Sequence, residues 1–306
     1  MQFSLALPVD QVDRPEEFCT ASVVMEAARA AEVAGFGACQ VTEHPFPSRA
    51  GPNMGGHHSL DPLVCLAFVA AATQHLRLHT NALVAPYRNP FLAAKATSSL
   101  DVLARGRLIL GMAAGYLEGE FAALGVPLSE RALRFDEALV AMKRAWTGEP
   151  VELESPRFAA RGNSMLPRPA SRPHPPIWIG GNSRAAIRRA ATHGQGWMPF
   201  PVGPAEAKIV RTAALDGIPA LAERLELLRA ETRALGRSEP LDVCLTPFTH
   251  PHHPRGQERL DPPQLREEIA QLEPLGVTWL SIKLRAPDHA TLLANIERFG
   301  KEVIRA

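Results

Sequence analysis

Residues 175–183 read Pro-Pro-Ile-Trp-Ile-Gly-Gly-Asn-Ser, and this stretch decides the fold class. Three apolar residues in succession, at 177–179, predict a parallel strand that is covered on both faces. Two glycines then end the strand, and Ser183 stands where a side chain would cap a helix over residues 184–193. The stretch predicts a strand, a tight turn and a helix in direct succession, which is the repeating unit of an α/β protein.

The same unit recurs along the rest of the chain. Asp61-Pro62, Asn89-Pro90 and Asp261-Pro262 mark helix starts, because a capping side chain precedes a proline that needs no hydrogen-bond acceptor. Gly35 and Gly276 mark helix ends. The predicted strands span residues 2–7, 37–43, 76–84, 107–112, 176–180, 196–200, 241–247 and 277–284. Eight strand–helix units predict a (β/α)8 TIM barrel, with an open doubly wound sheet as the alternative.

One segment does not fit a plain barrel. Residues 148–176 contain seven prolines and little helical periodicity, although residues 151–154 and 157–160 can pair as a small hairpin. A connection of this length is typical of a lid or a binding insertion, and the alternative is a packing excursion over the barrel end. We therefore interpret residues 1–306 as one barrel domain that carries an insertion.

Charge and hydrophobicity argue against several classes of protein. The 306 residues include 33 Lys and Arg against 32 Asp and Glu, and a net charge of +1 without a basic stripe argues against nucleic-acid binding. The longest apolar run, residues 63–72, is far shorter than the ~20 residues of a membrane span. The four cysteines lack Cys-x-x-Cys spacing, and residues 1–8 resemble a strand more than a signal peptide. These features predict a cytoplasmic protein with reduced cysteines.

The turn after residue 179 has the chemistry of a phosphate site. Gly180 and Gly181 let an anion approach the backbone, and Asn182 and Ser183 lead into a helix whose first N–H groups lack acceptors. The helix dipole adds attraction for a negative charge. The alternative is an ordinary strand–turn–helix connection with a good cap.

Two further strand ends are candidates for the same site, because function in such a barrel gathers where the strands end. The second strand ends in Glu43-His44, which supplies a hydrogen-bond acceptor and a group that titrates near neutrality. The alternative is a histidine that only caps a loop. The fourth strand ends in Ala114-Gly115-Tyr116, after small residues that leave room for a flat ligand or, alternatively, for close helix–strand packing.

The eighth strand ends in cationic residues. Alternation along the strand places Ser281, Lys283 and Arg285 on one side. Lys283 and Arg285 are candidates for binding an anionic substrate group, and Lys283 is also a candidate for a Schiff base. A solvated rim is the alternative.

No metal site is predicted from the histidines. His57 and His58 are adjacent on a proline-rich loop, so they do not share a face. A second group, His250, His252 and His253, also shows no recognisable ligand spacing with a carboxylate or a cysteine.

In their order along the chain these motifs resemble the bacterial luciferase-like monooxygenase superfamily, and most closely its branch of coenzyme F420-dependent oxidoreductases. The likeness covers nearly the whole chain. It is carried by residues 1–8, 41–44, 76–86, 88–90, 100–101, 106–111, 134–137, 167–169, 174–183 and 194–197.

The resemblance implies a barrel that binds flavin mononucleotide (FMN) or its deazaflavin relative F420. It implies that the ring lies near Glu43, His44, Asn81, Ala82, Ala114, Gly115 and Tyr116, and that the phosphate lies on Gly180, Gly181, Asn182 and Ser183. It gives His44 the role of handling the substrate proton during hydride transfer. It also implies a non-proline cis peptide at Asn81–Ala82. The chain departs from its relatives at Glu43 and Gln195, where they often have Asp.

The expected function is hydride transfer between F420 and a small organic substrate, with His44 and Glu43 as catalytic residues. One alternative is an FMN-dependent monooxygenase that receives reduced flavin from a separate reductase. The others are a flavin-binding protein without turnover and an aldolase-like barrel that uses Lys283. The acidic tail of F420 would meet Arg184, Arg188 or the arginines at 157, 161, 168 and 172. We also expect a homodimer.

Overall fold

The computed structural model describes residues 1–48, 57–249 and 261–306. Its strands are β1 (Gln2–Ala6), β2 (Ala38–Val41), β3 (Arg77–Thr80), β4 (Leu83–Val84), β5 (Leu108–Ala113), β6 (Val151–Ser155), β7 (Phe158–Asn163), β8 (Ile177–Gly180), β9 (Gly196–Met198), β10 (Asp242–Leu245) and β11 (Trp279–Ile282). Parallel pairing runs β1-β2-β3-β5-β8-β9-β10-β11 and returns from β11 to β1. The sheet is therefore closed. The predicted (β/α)8 barrel is confirmed with all eight of its strands, and the open-sheet alternative is wrong.

Helices follow the strands and cover the outside of the barrel. They are α1 (Pro15–Phe18), α2 (Ala21–Ala34), α3 (Pro62–Ala72), α4 (Pro90–Leu103), α5 (Glu118–Ala123), α6 (Arg131–Trp146), α7 (Arg184–His193), α8 (Pro204–Ile209), α9 (Ile218–Ala234), α10 (Pro262–Leu272) and α11 (His289–Phe299). Three single 3-10 turns (Ala85–Tyr87, Leu128–Glu130 and Glu273–Leu275) and a π-helical turn (Gly300–Ile304) complete the helical part. Among the described residues, no helix has the length and apolar character needed to cross a bilayer.

The predicted helix boundaries have the expected capping chemistry, with one exception. The Asp61 carboxylate accepts the N–H groups of the first turn of α3 at 2.9 and 3.0 Å, and Asn89 caps α4 in the same way. Gly35 and Gly276 both have a positive φ, 98° and 93°, which glycine adopts at no steric cost. Asp261, by contrast, is exposed and makes no side-chain capping bond to α10.

The interior of the barrel is filled with side chains. Its apolar cluster consists of Ala38, Ile109, Trp178, Met198, Cys244 and Trp279. His79 lies among them, with its ring nitrogens 3.1 Å from Ser4 Oγ and 3.1 Å from Met198 Sδ. Burial lowers the pKa of His79 to about 3, so the ring is neutral. Because this layer fills the barrel, a ligand has room only above it, at the carboxyl ends of the strands.

The insertion packs on the outside of the barrel. Strands β6 and β7 form the predicted antiparallel hairpin, which is thereby confirmed. The Phe158 ring contacts that of Phe91 on α4 at 5.4 Å, and Arg157 pairs with Glu137 on α6 at 2.5 Å. Farther along, the Ser171 N–H donates to Asp101 on α4 at 2.8 Å. These contacts favour the packing excursion over the lid.

The cysteines are unpaired, as the sequence predicts. Cys39, Cys65 and Cys244 are buried and Cys19 is half-buried. Burial raises the pKa of the Cys65 thiol to about 12, and it raises the pKa values of Cys39 and Cys244 as well. All three buried thiols are therefore protonated core residues.

Candidate active site

Glu43 follows β2, and both oxygens of its carboxylate accept hydrogen bonds from neighbouring residues. One of its oxygens accepts the Val84 N–H at 2.5 Å, and the carboxylate pairs with the Arg88 guanidinium. The side chain is only 2% exposed. Burial raises the pKa of Glu43 above its usual range, and Arg88 offsets part of that shift. Glu43 thus fixes the chain between β3 and α4, and its geometry fits a positioning role more closely than the expected catalytic one.

His44 faces a carboxylate that the sequence did not assign to the site. Its Nδ1 lies 3.5 Å from Oε2 of Glu120, which is buried in α5. Glu120 also accepts the Tyr87 hydroxyl at 2.7 Å and the Phe46 N–H at 3.3 Å. Burial alone would raise the pKa of Glu120, but these donors and His44 outweigh it and hold that pKa below its usual range. An ionised carboxylate therefore faces the imidazole at the mouth of the barrel.

Tyr116 lies beside this pair. Its ring is 6.2 Å from the His44 ring in an edge-to-face arrangement. Burial and the charge of Glu120 raise the pKa of the Tyr116 hydroxyl to about 12, so the hydroxyl stays protonated. Tyr116 therefore forms an aromatic surface next to His44.

Asn81 and Ala82 follow β3, and the peptide bond between them is cis, which confirms the expectation. The Asn81 side-chain amide donates to Gln40 Oε1 at 3.0 Å, and Gln40 Nε2 donates to Ser281 Oγ at 2.5 Å. Ala82 packs on the apolar layer inside the barrel. A hydrogen-bonded row across the strand ends therefore orients Asn81 beside a small apolar surface.

The small residues at the carboxyl ends of β5 and β8 differ in how closely other atoms pack around them. A Cβ on Gly115 would lie 2.6 Å from Val84 Cγ1, so Gly115 is required for close packing, as the alternative interpretation held. A Cβ on Gly180 would lie 3.5 Å from the Cβ of Ala113, an ordinary contact. Ala114 and Gly180 are only half-buried. A side chain at residue 180 would thus meet ordinary contacts, whereas one at residue 115 would clash.

The turn between β8 and α7 is partly occupied by its own hydrogen bonds. The Gly181 N–H donates to Met198 O at 3.1 Å, and the Asn182 N–H donates to Thr212 Oγ1 at 3.0 Å. Ser183 caps α7 by accepting the Ala186 N–H at 3.2 Å. Within the described residues, the N–H groups of the first turn, at 184 and 185, have no acceptor.

The Asn182 side chain has a structural role that the sequence did not indicate, because it binds the backbone of another segment. Its side chain is completely buried, donates to Phe200 O at 2.8 Å and to Ala213 O at 3.0 Å, and accepts the Phe200 N–H. The amide therefore ties the segment after β9 to the turn, with Thr212 on the same segment. Within the described residues, the N–H groups that keep no acceptor at this turn are those at the start of α7.

The cationic end of β11 is neutralised by a residue that follows β1. Lys283 pairs with Asp10, and both side chains are nearly buried, at 15% and 12% exposure. Burial alone would raise the pKa of Asp10, but Lys283 reverses the effect and lowers that pKa. Arg285 is exposed, and Ser281 lies inside the barrel mouth. The structure therefore gives Lys283 a carboxylate partner in place of a free anion-binding role.

The arginines expected to meet an acidic tail also have partners. Arg184 and Arg188 are exposed on α7 and lie 3.8 and 3.6 Å from Glu231. On the insertion, Arg157 pairs with α6 and Arg161 pairs with Glu154 across the hairpin. Of these two insertion arginines, Arg157 therefore lies against an outer helix, and Arg161 stays within the hairpin.

Of the histidines considered for a metal site, one lies at the barrel mouth. The His57 ring contacts the His44 ring at 4.7 Å between centroids. His250, His252 and His253 lie outside the described residues. In the part of the chain that the structure describes, no three His, Cys, Asp or Glu side chains are grouped as metal ligands.

Comparison with known proteins identifies the family of this barrel. A model of the luciferase-like monooxygenase family matches residues 1–258. The chain therefore belongs to the luciferase-like monooxygenase family, as its motifs indicate. Both F420-dependent and FMN-dependent proteins occur among its relatives.

Three relatives illustrate the range of similarity. An uncharacterized protein of Mycobacterium tuberculosis is 28% identical over 300 residues, which covers 90% of this chain and 93% of that one. The F420-dependent glucose-6-phosphate dehydrogenase of Beutenbergia cavernae is 33% identical over 197 residues, covering 63% of this chain and 55% of the relative. The crystal structure of monooxygenase RslO1 from Streptomyces bottropensis superposes with a TM-score of 0.79 at 23% identity, covering 100% and 99% of the two chains. The last comparison supports the fold.

Proposed function

We propose that this protein transfers a hydride between F420 and a small organic substrate. The observation that carries the proposal is the His44–Glu120 pair beyond β2, in which the buried Glu120 carboxylate lies 3.5 Å from Nδ1 of His44. Hydride transfer from an alcohol releases a proton, and a histidine supported by a carboxylate is suited to accept it. The F420-dependent relative, which matches over 197 residues, supports the same choice of cofactor.

The residues present fit a phosphate-bearing tricyclic cofactor. A Cβ on Gly181 would lie 3.3 Å from the Cβ of Ala186, so its absence keeps the approach to the first turn of α7 clear. The unpaired N–H groups of that turn suit a phosphate. Ala82, Ala114 and Gly180 would lie against the ring, and Gly181 and Ser183 would hold the phosphate. When bound, the deazaflavin supplies the acceptor or donor of the hydride.

The protein's own groups manage the proton. His44 accepts it from the substrate hydroxyl as the carbon–hydrogen bond breaks. The ionised Glu120 stabilises the imidazolium that forms, since the two groups are at ion-pair distance. Tyr87 and Phe46 hold the Glu120 carboxylate in place through their hydrogen bonds. Glu43 and Arg88 fix the preceding backbone, so that the His44 ring keeps its orientation.

Equilibrium titration of the purified protein with each cofactor tests the proposal. We expect F420 to bind at least about tenfold more tightly than FMN, a difference of roughly 1.4 kcal/mol. Addition of alcohols to the F420 complex should then bleach the visible absorbance of the oxidised cofactor. Tight FMN binding without F420 binding, together with oxygen consumption when reduced FMN is supplied, would instead support the monooxygenase that depends on a reductase. The expected homodimer stays a prediction, which a measurement of mass in solution tests.

A further inference from the structure

The His44 side chain is only 9% exposed, and its Nδ1 faces Glu120. In the proposed reaction His44 gains one proton in every turnover and must lose it before the next. Glu120 is poorly suited to carry that proton to solvent, because its carboxylate is completely buried and is held by hydrogen bonds from Tyr87 and Phe46. A buried base of this kind needs a route to water.

His57 contacts His44 and is itself exposed to solvent. Its ring is packed edge-on against the His44 ring, with 4.7 Å between centroids and an interplanar angle of 63°. Unlike His44, the residue is exposed. It is therefore a proton-accepting group that touches the buried histidine on one side and meets water on the other.

We propose that His57 relays the substrate proton from His44 to solvent, an inference that rests on the proposed function. The O–H bond of the substrate breaks and its proton passes to the His44 imidazole, while the electron pair of the substrate C–H bond leaves with the hydride. His44 then passes the proton to the neutral imidazole of His57. His57 releases it to water and both rings return to their neutral form.

The charges around His57 suit a transient carrier. It is influenced by His44 after β2, by Asp10 after β1, and by Lys283 and Arg285 after β11. Atoms packed around its ring, together with the charge of His44, lower the pKa of His57 to about 4, so the ring is neutral at neutral pH and holds a proton only transiently. One Asp10 oxygen pairs with Lys283, and within the described residues the other accepts no hydrogen bond. Asp10 thus supplies a nearby negative charge while His57 is protonated.

Chemical rescue tests the relay. We expect His57→Ala to lower kcat about tenfold or more, with KM and F420 affinity unchanged, and we expect added imidazole to restore most of the loss. His58→Ala, the adjacent histidine, is the matched control and should keep native kcat with no response to imidazole. A native kcat in His57→Ala, or a loss that imidazole does not restore, would overturn the relay. If His57→Ala folds poorly, His57→Gln serves in the same assay.

Titration of the histidine ring protons by NMR gives a second readout in the cofactor-free protein. His44→Phe should raise the pKa of His57 by removing a like charge, and Asp10→Asn should lower it by removing an opposite one. An unchanged His57 titration in His44→Phe would contradict the coupling of the two rings. If none of the alcohols tested reduces F420 in the presence of the native protein, the proposed function fails. The coupling between the rings is then decided by the titration alone.

Discussion

The carboxylate of Glu120 lies 3.5 Å from Nδ1 of His44, although the two residues come from different strand–helix units. His44 follows β2, and Glu120 lies in the short helix α5 after β5. Strand β3 separates these strands in the barrel, so the contact forms above it, at the mouth. The pair places an ionised acceptor behind a histidine, an arrangement that orients the imidazole and stabilises its charged form.

Replacing Glu120 by Gln tests this arrangement. We expect kcat to fall on the order of 10²-fold with little change in KM, because the imidazolium loses its counter-charge during proton transfer. Tyr87→Phe is the control, since it removes one donor to Glu120 and keeps the carboxylate. Its kcat should fall much less. Equal losses in the two variants would show that the Tyr87 hydrogen bond, rather than the charge of Glu120, is what His44 requires.

The lowered pKa of Glu120 also predicts how stability depends on pH. A carboxyl group with a folded-state pKa below its ordinary value of 4.5 stabilises the fold above that pH. The contribution is lost as the pH falls through the folded-state pKa. The free energy of unfolding of Glu120→Gln should therefore be lower than native at neutral pH, and the difference should shrink in acid. Urea denaturation at several pH values measures it, and a pH-independent difference would contradict the assignment.

The strands and most helix ends could be predicted, because the residues that determine each of them lie close together in the sequence. Runs such as residues 108–110 are apolar at every position, as a strand covered on both faces requires. Asp61 and Asn89 cap the helices that follow them within three residues. Closure of the barrel then follows from the number of units, and the carboxyl ends of the strands meet at one rim.

The partners across that rim could not be predicted, because they depend on contacts between distant parts of the chain. The sequence marked Glu43 and Lys283 as free functional groups, and the structure pairs them with Arg88 and Asp10. It marked Asn182 as a phosphate ligand, but the side chain is used by a segment that begins after β9. Only the folded barrel brings these groups within hydrogen-bond distance.

The Glu43–Arg88 pair makes a prediction about stability. Arg88→Met leaves a carboxylate that is only 2% exposed without its cation, which should lower the free energy of unfolding by about 3–5 kcal/mol at neutral pH. Burial already raises the pKa of Glu43, and loss of Arg88 raises it further, so the carboxyl takes up a proton more readily. The destabilisation should therefore be smaller at mildly acidic pH and grow as the pH rises.

The double variant completes this test. Glu43→Gln in the Arg88→Met background removes the buried charge, so it should recover part of the lost stability. Urea unfolding of the native protein, both single variants and the double variant gives the coupling energy. Strictly additive effects would mean that the two side chains do not stabilise each other.

Gly181 tests the phosphate site. Its φ of 117° disfavours any side chain, so Gly181→Ala and Gly181→Glu should both lose about 1–2 kcal/mol of stability. Only Glu adds a negative charge at the start of α7, where the unpaired N–H groups attract anions. We expect Gly181→Glu to abolish cofactor binding and Gly181→Ala to weaken it far less. Equal affinities in the two variants, measured by fluorescence titration, would place the phosphate elsewhere.

His44→Ala separates catalysis from binding at the same rim. The ring is one of several groups around the proposed cofactor position, so its removal should change F420 affinity only modestly. As the proton acceptor it should contribute about 10²–10⁴-fold to turnover. The comparison variant is Tyr116→Phe, which keeps the aromatic wall beside His44 and should leave kcat close to native. Steady-state kcat and equilibrium affinity are measured for both proteins. An equal loss of turnover and affinity in His44→Ala would assign the ring to binding, and turnover unchanged by His44→Ala would show that another group accepts the proton.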